Sequence, residues 1–233
     1  MLRRLLASGG SVSAIFVLAC ASATRPAPER VLLAPVAFDQ RLDAELAQGV
    51  TPVREEMKSV LEARGFQVLA PEVVAFAEVW TDATQDVGRV RTARGSLDRA
   101  LLGAASRALL EGYRARGEAL DVVLLGFFEV RLVQVRGWTA SWDGVDRSIR
   151  ADRKIWQRYS GFWPNDRDAP CLSLRVLAYD AEGTLLFDRP GGLEVVSEFI
   201  PARLEELPRQ DLFEQRAFVR EGVEIAIAPL RRD

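Results

Sequence analysis

The residues best equipped for chemistry or recognition gather between positions 137 and 170. Trp138, Trp142, Trp156 and Trp163 are four of the chain's five tryptophans, and Tyr159 and Phe162 stand among them. Asp143, Asp146, Asp152, Asp166 and Asp168 are interspersed with Arg147, Arg150, Arg153 and Lys154. Two carboxylates held at a set separation would support glycoside hydrolysis, with the rings as a stacking floor for sugar. Nothing in the spacing fixes two of these aspartates opposite one another. Asn165-Asp166-Arg167-Asp168 is rich in oxygen ligands but lacks the glycine and the terminal glutamate of a calcium loop.

The rest of the chain narrows the chemistry further. There is no histidine, so the usual neutral-pH base, every Ser-His or Cys-His pair and every imidazole metal site are excluded. Two cysteines cannot build a thiolate-rich cluster. No nucleophile elbow, glycine-rich phosphate loop or Cys-x-x-Cys motif occurs. The reading therefore assigns no catalytic residue, no metal ligand and no cofactor. Tyrosine, lysine, serine and carboxylates remain available, so catalysis is disfavoured on motif grounds alone.

At the start of the chain, Arg3 and Arg4 precede an uncharged stretch over residues 5–24 whose densest apolar part is Val12 to Ala19. Cys20 follows, then Ala21, Ser22 and Ala23. This is the basic, apolar and small-residue order of an export signal. Val17-Leu18-Ala19-Cys20 resembles the lipobox of bacterial lipoproteins. The resemblance implies removal of residues 1–19, acylation of Cys20 and attachment to a lipid bilayer. Ala21 after the cysteine implies the outer membrane, with the domain in the periplasm. Plain secretory cleavage after Ala21 or Ala23 and an uncleaved anchor are the competing readings. Residues 20–29, with Pro26 and Pro28, read as the lipidated N-terminus and tether. Without Arg3 and Arg4 the 31 basic residues become 29 against 33 acidic ones, a net charge of -4. Such a surface gives nucleic acid no positive footprint, so no nucleic-acid partner is expected.

Residues 30–233 must then form the body that positions everything else. A 48% hydrophobic composition can fill a core. The apolar run 30–38 reads as an internal strand. Thr51 is the expected cap of a helix with Pro52 in its first turn. Val53, Met57, Val60 and Leu61 form its apolar stripe, and Gly65 stops it. Residues 66–70 make a second strand, parallel to the first through the crossover. A brief helix over 72–80 would bury Val73, Phe76, Ala77 and Trp80. Arg89, Arg91 and Arg94 read as a solvated segment. Ser96 is the expected cap of a helix over 97–116 carrying Leu102, Ala105, Leu109 and Tyr113, ended by Gly117. The strongest strand covers 120–135, and the alternation of Val130 and Leu132 with charged neighbours predicts that one of its faces emerges from cover. Residues 171–179 and 184–188 form a hairpin around Asp180-Ala181-Glu182-Gly183. Asp188-Arg189-Pro190-Gly191-Gly192 predicts a further turn. Residues 208–230 read as largely helical, with a strand over 223–227 as the alternative. Cys171 is expected to be a small buried residue.

The sum is an α/β fold: a single mixed β-sheet with a parallel crossover half and a later antiparallel hairpin, helices packed on it, and an aromatic-rich insertion at about 137–170. The order of elements resembles the small α/β domain of lipoproteins around the CsgG, LpoB and TolB N-terminal-domain group. The likeness lies in Val31-Leu32-Leu33-Ala34-Pro35-Val36, the helix from Thr51, Gly65-Phe66-Gln67-Val68, the strand Leu120 to Gly126 and the hairpin from Leu174 to Phe187. It implies an envelope assembly, secretion or regulatory component. The insertion departs from that pattern, and no family site residue maps onto a position here. Trp138, Trp142, Trp156, Tyr159, Phe162 and Trp163 form the candidate partner surface, for an envelope protein or the cell wall; packing over the sheet is the alternative use of the same rings. A carbohydrate-binding protein or polysaccharide hydrolase, and a subunit of an oligomeric outer-membrane secretion assembly, are the other functional readings.

Overall fold

Alternating β-branched runs and amphipathic helices fold as their order requires. The computed structural model describes residues 28–85, 87, 88, 90–92, 96–136, 139–149, 167–200, 205–208 and 211–231. Strand β1 (Arg30–Leu33) leads through the short α1 (Ala44–Ala47) and α2 (Val50–Ala63) to β2 (Gln67–Leu69). Helices α3 (Val73–Gln85) and α4 (Arg99–Ala115) return the chain to β3 (Val122–Arg136). Then come β4 (Thr139–Trp142), β5 (Val145–Ser148), β6 (Arg167–Asp180), β7 (Leu185–Val195), β8 (Ser197–Ile200), β9 (Glu205–Pro208) and α5 (Arg216–Ala226).

β1 lies parallel to both β2 and β3, with Val31 opposite Val68 on one side and Val122 on the other. β3 runs antiparallel to β6 over its whole described length without a register shift, and β6 pairs β7. The expected mixed sheet, parallel in one half and antiparallel in the other, is therefore present. A separate two-stranded ribbon joins β8 to β9.

Successive side chains of a strand face opposite sides, so a doubly covered sheet needs two cores. On one face, Leu124, Phe128, Leu172 and Leu174 pack with Val53, Met57 and Leu61 of α2 and Val219, Val223 and Ala226 of α5. On the other, Val123, Leu125, Phe127 and Tyr179 meet Phe76 and Val79 of α3 and Leu102 and Leu109 of α4. The two crossovers thus lie on opposite faces, and the chain reverses its winding direction between β1 and β3. Gly65 and Gly183, both at positive φ, end α2 and turn β6 into β7 as expected.

Several boundaries differ from expectation. The position preceding α2 is Gly49 rather than Thr51, which lies inside the helix. Asp98, not Ser96, caps α4, its Oδ1 accepting from Ala100 N–H at 3.0 Å and Leu101 N–H at 3.1 Å. α3 buries Phe76 and Val79, while Val73 and Ala77 are exposed. The expected turn at Asp188 to Gly192 is uninterrupted strand within β7. Pro190 is tolerated because β7 is an edge strand, where a missing donor leaves no broken ladder bond. Gly191 and Gly192 serve close packing: a Cβ on Gly191 would sit 2.0 Å from the Gly222 carbonyl oxygen of α5. In the C-terminal stretch β9 ends at Pro208 and the expected helix is present as α5, shorter than the 208–230 span, so the alternative 223–227 strand does not form.

Candidate functional site

The reversal point of a doubly wound sheet leaves a crevice at the strand ends, the usual place for a site in such folds. Here an open cleft of about 660 Å³ lies beside the start of α4, with Gln40, Arg91, Asp98, Arg99, Glu129 and Arg175 on its walls. Gln40 comes from the loop after β1, Glu129 from β3 and Arg175 from β6. Cross-strand register puts Glu129 opposite Ser173 and Arg175 opposite Phe127, so these polar residues share the α4 face of the sheet.

They form a continuous ladder of charge. Arg175 donates from Nε and Nη2 to the two Asp188 oxygens at 2.6 and 2.7 Å, and from Nη1 to Glu129 at 2.7 Å. Arg99 reaches Asp188 at 2.5 Å. Arg131 bridges Glu129 at 2.7 Å and Asp143 at 3.0 Å. Ser173 Oγ–H donates to Asp143 at 2.6 Å, and Trp142 Nε1–H donates to Ser173 Oγ at 3.1 Å. Three guanidinium groups thus neutralise three carboxylates between α4 and the β4–β5 turn.

Electrostatics follow from that pairing. Burial opposes ionisation of Glu129, but hydrogen bonds from Arg131 and Arg175 outweigh it and hold the carboxyl below its ordinary range. Asp188 is likewise disfavoured as an anion by burial and held below its ordinary value by Arg175 and Arg99. The Asp188 pair raises Arg175 above the normal guanidinium value, against the effect of burial. Both acids are fixed as anions near neutral pH. Neither is poised as a proton donor, and a glycosidase needs one carboxyl kept protonated.

Trp142 is the member of the candidate partner surface that falls within the described residues, and it is only 8% exposed. With Val135, Ala140, Val145, Ile149, Ala169, Cys171 and Val195 it forms a third core, where the β4–β5 hairpin covers the far part of the α4 face. Trp142 is therefore corrected from partner surface to packing residue, the alternative use of these rings. Trp138, Trp156, Tyr159, Phe162, Trp163 and Cys20 lie outside the described residues. Asp143 and Gly144 make the hairpin turn, both at positive φ. An Asp-Gly pair between strands is a strong hairpin signal, and it was missed because the surrounding aromatics read as one long insertion. Arg147, only 5% exposed, donates to Leu193 O at 2.9 Å and Glu221 at 2.8 Å, and lies over the Phe218 ring; it ties β5 to β7 and α5.

Arg91, expected to be solvated, is paired with Asp39 at 2.7 and 3.0 Å. Cys171 is fully buried, and burial, with Asp143 nearby, pushes its thiol up to about 12. Strand β3 does emerge from cover beyond Phe128, with its apolar side uncovered: Val130 is 50% and Leu132 73% exposed, while Glu129 and Arg131 are partly covered. Among the described residues, no helix is long and apolar enough to cross a membrane, and no group of three or more acids or cysteines could hold a metal ion. No family model, curated protein or solved structure matches this chain.

Proposed function

We propose that the chain is a lipid-tethered, noncatalytic component of the bacterial cell envelope, acting through protein contacts. The observation that carries the noncatalytic part is the neutral ladder in the cleft. Glu129 in the cleft and Asp188 beside it are bonded to arginine, and Asp98 is spent on capping α4, so each is used to join or end elements of the fold rather than left to act on a substrate. Support for the tether is the Val17-Leu18-Ala19-Cys20 sequence after a basic, apolar leader. Its attachment point is firmly built: the Asp121 carboxylate accepts from the Glu29 and Arg30 N–H groups, each at 2.9 Å. A pull on residues 20–29 would thus load the first strand of the sheet. The resemblance to the CsgG, LpoB and TolB N-terminal-domain group supports an assembly or regulatory role.

The test compares wild type with Cys20→Ala in the native host. Detergent-phase partitioning and precursor processing should both fail in the variant. Unchanged processing and unchanged partitioning would remove the lipid route from the reading.

A further inference from the structure

Among the described residues, β3 has an unfilled edge. Carbonyls of Leu124 and Gly126 accept from the N–H groups of Ala34 and Ala37, at 3.1 and 2.8 Å. Two residues further on, the Gln40 side-chain amide takes over: its Nε2 donates to Phe128 O and its Oε1 accepts from Phe128 N–H, both at 2.9 Å. Backbone groups alternate in direction with period two along a strand. Those of Val130 and Leu132 therefore point to this same side, away from β6. Beyond them, β4 resumes pairing opposite Val135 and Arg136. Between Gln40 and β4 no described residue bonds the outward N–H or C=O of Val130 or Leu132.

The same two residues carry the exposed apolar side chains of the strand. Free backbone edge and uncovered apolar face coincide. Folded proteins usually blunt such an edge with charge, proline or a bulge; here Glu129 and Arg131 are paired on the opposite face, the exposed side chains at the gap, Val130 and Leu132, are aliphatic, and the β3–β6 register is regular. The side-chain amide of Gln40 already makes the two bonds that a neighbouring peptide group would make. We infer that the outer edge of β3 at Val130 and Leu132 accepts an extended apolar peptide segment of a partner protein by strand addition. This rests on the protein-contact reading above and names its site.

The surroundings select this occupant. The gap between Phe128 and Val135 is about 23 Å long at strand rise, room for a strand of about five residues. A second copy cannot present its own β3, because its β1 and β4 lie along the same edge and would collide with their counterparts. A bilayer would cover the two apolar side chains but would leave the outward N–H and C=O groups of Val130 and Leu132 unbonded, whereas an extended peptide bonds them. The partner segment is thus short, extended and rich in β-branched or aromatic residues at alternate positions.

A random linear peptide library displayed on phage is selected against the full-length chain in detergent, and the strongest selected peptide is synthesised. The inference expects alternating apolar residues over about five positions, and exchange of the Val130 and Leu132 amide hydrogens slowed at least about tenfold on binding. Val130→Lys with Leu132→Lys should weaken binding at least about tenfold, whereas Val74→Lys, at an exposed site elsewhere, should leave it unchanged. Circular dichroism and a urea midpoint verify that the variants fold. Methylating alternate peptide nitrogens should abolish binding. A library that yields no binder, binding indifferent to the lysines, or unslowed exchange would overturn the inference, as would self-association that itself protects these amides. Cys20→Ala protein should bind the peptide equally, so failure of strand addition and failure of anchoring are read separately.

Discussion

Replacing Arg175 with methionine should destabilise the fold by about 2–4 kcal/mol at neutral pH. The side chain is 25% exposed and donates three charge-assisted hydrogen bonds, two to Asp188 and one to Glu129. Losing one partner of a buried ion pair costs about 3–5 kcal/mol. Partial exposure lowers that figure, and so do the remaining partners: Asp188 keeps Arg99 and Glu129 keeps Arg131. Urea unfolding should show a lower midpoint with the slope unchanged. The pH dependence is the sharper signature. Glu129 and Asp188 have lowered folded values, so their contribution is complete above the ordinary carboxylate range of about 4 and is lost as pH falls through the folded values. In Arg175→Met, burial is less opposed and both acids titrate higher, so acidification relieves the variant. The wild-type advantage should therefore shrink as pH falls through and below the ordinary carboxylate range of about 4. Arg175→Lys, which retains charge without the planar fork, should fall between the two. A neutral-pH difference below about 0.5 kcal/mol, or one that ignores pH, would refute the ladder as a stabilising unit.

Two other expectations test the packing. Gly191→Ala should cost about 2–4 kcal/mol, because its Cβ meets backbone on α5 at 2.0 Å and the helix must move outward; a urea midpoint equal to wild type would show that α5 packs elsewhere. Cys171, buried with its thiol at about 12, should resist a thiol reagent in native buffer at pH 8 and react fully in urea. Labelling of the native protein at the unfolded rate would contradict its burial.

Much of the frame was legible because it depends on local pattern. The apolar runs at Val31 and Val122, the stripe from Val53 to Leu61, and the stops at Gly65, Gly117 and Gly183 each announce themselves within a few residues. What was not legible depends on partners distant in sequence. Glu129 and Arg131 are drawn under cover by Arg175 and Asp143, which inverts the face expected of an alternating strand and leaves Val130 and Leu132 outside. Pro190-Gly191-Gly192 has the composition of a turn, yet its glycines exist for Gly222, Trp142 and Val145. Asp98 displaced Ser96 as the cap because either side chain can serve a helix start, and the loop from Arg91 decides which is placed to do so. Of the aromatic cluster, Trp142 went into the core because the Asp143-Gly144 turn folds it back over Cys171 and Ala169.

The placement of the whole molecule turns on the chemistry of one sulfur. Mass spectrometry of the N-terminal peptide from membranes of the native host measures it directly. The account predicts a chain beginning at Cys20 and carrying fatty acyl groups. An unacylated chain, whether still bearing Met1 and the leader or cut beyond Cys20, would contradict it.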